Sequence, residues 1–291
     1  MNFQKELDIA INAAIKAGKK TLEFYNNNNY EIHTKSDESP VTAADLAANK
    51  IILEELKSNF NYPILSEENE DDLSRLDHDI LWIIDPIDGT KGFINKTEYS
   101  ILISLVQNKK PIIGVIYEPL KNKLYYASKD NGAFLIENED FTNPIKLDIS
   151  NKKENKNKNN DDNMSENEKS IENIKFLKGT TFEFAEIEEF INQNNITDIL
   201  SVTSIGIKLA YLANNCGELY MNYIGKAAQW DYAAGHLIVE EAGGIITDLF
   251  GNELEYNSKE TLLKNGCIAA ANKKLHKTVL KQMQEILNKN N

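Results

Sequence analysis

Ile80-Leu81-Trp82-Ile83-Ile84-Asp85-Pro86-Ile87-Asp88-Gly89-Thr90 is the stretch that decides the fold. Its apolar run is strand-sized and reads as a buried strand that delivers Asp85 to the end of a sheet. Pro86 then fixes a turn, and Asp88 points a second carboxylate back toward the first. Gly89 and Thr90 follow where free backbone N–H groups can grip a phosphate. Two carboxylates this close repel and raise each other's pKa unless a cation sits between them. The same residues would also make an ordinary Asx-rich turn, so the choice depends on what surrounds them.

N-terminal to this stretch, Leu7, Ile11, Ala14, Gly18 and Leu22 recur at helical spacing, which predicts an amphipathic helix over 7–25. A second helix starts near Thr42 and turns Leu46, Ile51, Ile52 and Leu56 inward, with a polar loop or hairpin over 31–40 between the two. Pro63–Leu65 reads as a further strand, and Tyr99–Val106, Ile112–Tyr117 and Lys123–Ala127 as a meander.

Residues 151–173 differ in kind: eight Asn, five Lys and six acidic residues leave Met164 and Ile171 as the sizeable apolar side chains. Such a segment buries too little surface to offset its ordering entropy, which predicts a disordered insertion. Beyond it, strands at 174–178, 218–223 and 244–248 alternate with helices around 184–192, 205–214 and 232–241. The expected fold class is therefore α/β, with layered helices and sheets. The expected organisation is an N-terminal α+β half (1–145) carrying the Asp85–Thr90 site, a low-complexity insertion (146–173) and a C-terminal α/β half (174–291).

A net charge of −13 argues against binding nucleic acid through a basic surface. It does not exclude a phosphorylated substrate, because bound divalent cations reverse the local sign of a site. The longest apolar runs are too short to span a bilayer, and MNFQKELDIA shows no secretory pattern, so a cytoplasmic protein without a membrane partner is expected. Cys216 and Cys267 lack metal-ligand spacing and are expected to stay unpaired. His236 is expected to be packed or hydrogen-bonded inside its helix.

Two further acidic elements stand out. Glu67, in Ser66-Glu67-Glu68, closes a strand that could lie beside Asp85, whereas Glu70, Asp71 and Asp72 read as a solvated charge run. Asp231, in Trp230-Asp231-Tyr232-Ala233-Ala234-Gly235, sits where a helix N-cap belongs, with Gly243-Gly244 at the C-terminal stop. An N-cap Asp needs no ligand. The small residues after it would let the helix pack closely and hold the carboxylate rigidly.

Taken together in this order, the three elements resemble the inositol monophosphatase superfamily, with its acidic pair after a strand, its D-P-[IL]-D-G-T loop and its W-D-x-A-A-G helix with an E-A-G-G stop. The resemblance covers nearly the whole chain and implies a sugar-phosphatase fold of alternating helix and sheet layers (αβαβα). It implies that Glu67, Asp85, Asp88, Asp231 and the carbonyl of Ile87 hold two or three Mg²⁺ ions. It implies that Thr90 with Asp45 orients and deprotonates the attacking water, with Glu67 in the catalytic set. Thr42–Asp45 also reads as a capping box, and both roles can hold. Asp88-Gly89-Thr90-Lys91-Gly92-Phe93 is similar to the D-G-T-K-x-F loop of the 3'(2'),5'-bisphosphate nucleotidases, including the bacterial CysQ type. These hydrolyse adenosine 3',5'-bisphosphate (PAP) to AMP and phosphate, are inhibited by lithium, and tie to sulfate assimilation through 3'-phosphoadenylyl sulfate. Substrate contacts are then expected from Glu67, Ile87, Asp88, Gly89, Thr90 and Asp231, with Lys208 on the uncleaved phosphate and Gly225 near the nucleotide. Ile224–Gln229 departs from the pattern by lacking an Arg or Ser/Thr before Trp-Asp. An inositol or sugar monophosphatase is the alternative, and a metal- and nucleotide-binding sensor without catalysis a remoter one. A monomer or a homodimer is expected.

Overall fold

A computed structural model describes residues 3–27, 32–34, 40–149, 171, 173–180, 184–223, 225 and 227–289 of the 291. Nearly all of the predicted insertion lies outside the described residues. Alternation along the strand β4 (Ile80–Asp88) sets the layering. Trp82 and Ile84 enter one core while Leu81 and Ile83 enter another, so the strand is buried on both faces. It pairs in parallel with β3 (Ile64–Ser66) and antiparallel with β5 (Ser100–Gln107). The meander continues through β6 (Lys110–Glu118), β7 (Lys123–Ser128), β8 (Ala133–Glu137) and β9 (Ile145–Leu147), giving a seven-stranded sheet in chain order.

Helices α1 (Gln4–Asn27) and α2 (Ala43–Asn59) cover the Trp82 face. Between them β1 (Ile32–Thr34) and β2 (Pro40–Thr42) pair antiparallel, which makes the expected loop a hairpin, its tip at 35–39 lying outside the described residues. On the other face lie α5 (Ile205–Ala213) and α6 (Gln229–Glu241), with α6 running across β4 to β7. A second sheet packs over them, in the order β11 (Asp198–Ser201), β10 (Lys175–Lys178), β12 (Leu219–Asn222), β14 (Cys267–Ala270), β13 (Ile245–Thr247). Its outer face buries Phe176, Leu219, Met221 and Ile268 against α4 (Ala185–Gln193) and α7 (Lys273–Lys289). The order helix, sheet, helix, sheet, helix is the expected αβαβα layering.

Sequence periodicity did not single out β8, β9, β11, β14 or α7. The short edge strands carry little alternation. In α7 the helical spacing of Leu275, Val279, Met283 and Ile286 was present and became legible once the second sheet needed a cover. No helix among the described residues is long and apolar enough to cross a membrane.

The closeness of α6 to the large sheet and to α5 rests on glycine. A Cβ on Gly114 of β6 would stand 2.3 Å from the carbonyl oxygen of Ala234, and one on Gly235 would stand 2.4 Å from a Leu209 methyl. The helix therefore touches the sheet backbone to backbone. Gly114→Ala should force α6 outward and cost about 1–3 kcal/mol, the usual penalty for overpacking. Denaturant melts would read this, and an unchanged midpoint would show that α6 does not rest on β6.

Candidate active site

β4 does not stop at Ile84. It runs on through Asp88, with a bulge between the pairs Asp85↔Leu102 and Asp88↔Ser100. Pro86 has no N–H for the ladder, and the N–H of Ile87 turns inward to Asp85 Oδ1 at 3.0 Å. The bulge is what brings Asp85 and Asp88 together. Gly89 then takes φ +91°, a conformation open to glycine, and starts the short helix α3 (Thr90–Ile94).

Asp231 arrives from α6, in the helical layer between the two sheets. It is not the N-cap of α6. The N-cap is Ala228, because 227–228 are held by Leu263 N–H on Ala227 O (2.9 Å) and by a bridge between Ala228 and Leu262. Asp231 thus sits at the third position, where its Oδ2 accepts the Ala228 N–H at 2.6 Å. Gly243, at φ +95°, provides the expected stop.

Asp85, Asp88 and Asp231 each present a carboxylate oxygen within 4.8 Å of the others. Glu67 joins them from the end of β3, where its N–H donates to Ile84 O at 3.3 Å, and it hydrogen-bonds Asp85. Burial, and then repulsion from Glu67, Asp88 and Asp231, pushes the Asp85 carboxyl well above its ordinary pKa. Burial, followed by Asp88 and Glu67, does the same to Asp231. Burial also raises Asp88, against four stabilising contacts: Ser204 Oγ (2.5 Å), Gly206 N–H (2.7 Å), Ile205 N–H (3.2 Å) and the Lys208 charge. The Asp88 carboxylate therefore lies against the first turn of α5, whose free N–H groups it satisfies. The donor set is all hard oxygen and mutually repelling, with Asp85 and Asp88 buried and Asp231 and Glu67 half-buried, and it fits a divalent cation such as Mg²⁺ or Ca²⁺ rather than a thiophilic metal.

Asp45 and Thr90 meet beside this cluster. Thr90 Oγ1 lies 3.2 Å from both Asp45 Oδ1 and Ile87 O. Asp45 Oδ2 accepts from the Thr42 N–H (2.8 Å) and hydroxyl (2.5 Å), which is the capping-box role. One carboxylate does both: one oxygen anchors α2 and the other faces Thr90.

The sequence pattern of the inositol monophosphatase family matches residues 2–288. The chain belongs to the inositol monophosphatase family. Within it, the 3'(2'),5'-bisphosphate nucleotidase CysQ of Haemophilus influenzae is 31% identical over 267 residues, 86% of this chain and 87% of that protein. The protein of the same name from Escherichia coli K12 is 29% identical, with 89% and 97% covered. Among solved structures, CysQ from Bacteroides thetaiotaomicron superposes with a TM-score of 0.73 at 28% identity, over 93% of this chain and 98% of that chain. The Thermotoga maritima IMPase TM1415 superposes with a TM-score of 0.74 at 26% identity, over 98% and 99%.

Two further residues were expected at the substrate. Lys208 is 2% exposed, with Nζ donating to the carbonyls of Val202 and Thr203 at 2.9 Å each. Burial pulls its pKa down to about 8 against the attraction of Asp88, Glu98 and Asp231. The ammonium braces the entry to α5 from beneath, and does not face an open phosphate site. Gly225 adopts φ +68° and donates to Leu263 O at 3.4 Å, with open space where a Cβ would stand, and no described contact joins it to the acids.

Ser100 and Ser204, which bond each other and Asp88, escaped sequence reasoning. The signal for Ser204 was its place before the helical run Ile205–Ala213, where it caps the Ile207 N–H at 2.9 Å. His236 is packed as expected, with Nδ1 on Tyr256 OH (2.9 Å) and Nε2 near Glu240 (3.2 Å). Cys216 and Cys267 are both free thiols.

A carboxyl whose folded pKa is raised takes up protons that the unfolded chain does not. Its contribution favours folding below the ordinary carboxylate range, near pH 4, and is lost as pH rises through the folded pKa. In EDTA, Asp85→Asn should therefore melt higher than the native protein at pH 8, with the gap closing toward pH 5. Saturating Mg²⁺ should reverse the order at pH 8. A pH-independent gap in thermal melts would overturn the repulsion argument. Lys208→Met should lower the melting temperature while leaving KM within about twofold, since removing one partner of a buried charge pair costs about 3–5 kcal/mol. A large rise in KM at an unchanged melting temperature would return Lys208 to the substrate.

Proposed function

We propose that the chain is a magnesium-dependent phosphomonoesterase that hydrolyses adenosine 3',5'-bisphosphate (PAP) to AMP and phosphate, with 3'-phosphoadenylyl sulfate as a further substrate. The likeness to proteins named 3'(2'),5'-bisphosphate nucleotidase over nearly nine tenths of the chain carries the choice of substrate. The buried acids support the chemistry. A cytoplasmic location and a monomeric or homodimeric state belong to the same reading.

Glu67, Asp85, Asp88, Asp231 and the Ile87 carbonyl are the proposed metal ligands. Two or three Mg²⁺ ions there would polarise the phosphate, acidify a water and neutralise the leaving oxygen. The Thr90 hydroxyl donates to Asp45 Oδ1, which leaves its oxygen lone pair to accept from the attacking water. The proton then passes through the Thr90 hydroxyl to Asp45, a general-base step worth about 10²–10⁴ in rate. Gly89 and Thr90 supply backbone groups to the phosphate, and Gly225 lies on the nucleotide side. Enclosure of the acids in low dielectric strengthens each of these interactions.

The inositol or sugar monophosphatase reading is favoured by the T. maritima IMPase, which superposes as well as the CysQ structure. Phosphate release from PAP and from inositol 1-phosphate decides between them. The expected result is a strong preference for PAP, abolished by EDTA and reduced by lithium, whereas preference for inositol 1-phosphate would overturn the substrate assignment. Asp88→Asn keeps the shape and removes a charge, and should lower kcat at least about a hundredfold with a raised Mg²⁺ requirement, as for loss of a group that stabilises transition-state charge. Wild-type turnover in that variant would remove Asp88 from the metal set.

A further inference from the structure

Asn49 lies one turn after Asp45 on α2, so the two side chains share a face of the helix. It is 7% exposed. Its Oδ1 accepts from Ser66 Oγ at 2.8 Å, and its Nδ2 donates to Asn69 Oδ1 at 2.7 Å. Ser66 Oγ in turn accepts the Glu68 N–H at 3.2 Å. A single amide thus ties down the chain on both sides of Glu67.

Glu67 needs such a tether. It follows a strand of three residues and precedes the exposed run Asn69–Asp72. Asp85 and Asp231 both repel it. Asp85 and Asp88, in contrast, belong to the central sheet, and Asp231 to a packed helix. An untethered carboxylate at the end of a short strand would relax toward water, where its charge is better solvated.

We infer that Asn49 is a positioning residue: it sets the Glu67 carboxylate against Asp85 and fixes its separation from Asp45, which the same helix carries. Metal affinity then depends on a side chain that touches no metal. The chemistry requires an amide, which alone among side chains of this length accepts from Ser66 and donates to Asn69 at once. Alanine loses both bonds. Aspartate keeps the acceptor, loses the donor and adds a charge near Glu67. The inference rests on Glu67 being a metal ligand, and the experiment separates the two claims.

Mn²⁺ binding to the substrate-free protein is measured by calorimetry, alongside thermal melts without metal. Asn49→Ala should weaken Mn²⁺ binding about tenfold, the lower end of the cost of losing an outer partner of a metal site. Ser66→Ala should add little in the Asn49→Ala background, because both remove the same bond. Asn69→Ala should weaken binding less, and Lys50→Ala, on the exposed side of α2, should bind within twofold of wild type. A purely structural role for Asn49 would lower the melting temperature with Mn²⁺ affinity unchanged, and that result overturns the inference while leaving the metal site intact. If Asn49→Ala does not fold, unchanged affinity in both Ser66→Ala and Asn69→Ala overturns it. A wild-type protein that takes up no Mn²⁺ removes the metal reading and the inference together.

Discussion

Carboxylates crowded together, Asp85 and Asp88 buried and Asp231 and Glu67 half-buried beside them, are the constraint around which the molecule is organised. Each alone would cost several kcal/mol to bury in its charged form, and together they repel. The fold meets part of that cost locally. The first turn of α5, with Ser204 and Ser100, supplies donors to Asp88. The Ala228 N–H supplies one to Asp231, and the Ile87 N–H one to Asp85. Lys208 adds a buried positive charge from below. The remaining repulsion is what gives a divalent cation its hold, since neutralising the cluster relieves a strain already built into the folded state.

Layering converts sequence-distant acids into one site. A parallel strand brings Glu67 alongside β4, a bulge turns Asp85 and Asp88 toward each other, and α6 lowers Asp231 from above. Such a convergence tolerates little slack, because a carboxylate displaced by an ångström no longer shares a cation. Hence the backbone-to-backbone packing of α6 on β6 through Gly114, and the bracing of α5 through Lys208. Strand ends and first helical turns carry the acids, and the packing of sheets and helices carries the precision.

The global charge of −13 and a phosphorylated substrate are compatible for the same reason. The excess acid is not spread evenly as a repelling surface: Asp85, Asp88 and Asp231 converge with Glu67 beside them, a donor set that fits cations able to present a positive face to phosphate. Burial of Lys208 fits this arrangement. A lysine in the open would compete for the phosphate, whereas one beneath the acids tunes the cluster without leaving it.

Much of this was legible in the linear chain. The continuous apolar run Ile80–Ile84 dictated a strand buried on both faces, and helical spacing dictated α1 and α2, because local patterning needs no partner to be read. The carboxylates of Asp85, Asp88 and Asp231, together with Thr90, stood out as dense polar motifs against apolar runs. Their convergence, the position of Asp231 inside the first turn, and the continuation of β4 past Pro86 were decided by pairing with segments more than ten residues away, such as Ser100–Leu102 and Leu262–Leu263. The direction of Lys208 and the tether at Asn49 were likewise beyond the sequence. A side chain's chemistry is local, but which groups it can reach depends on the packing of the whole chain.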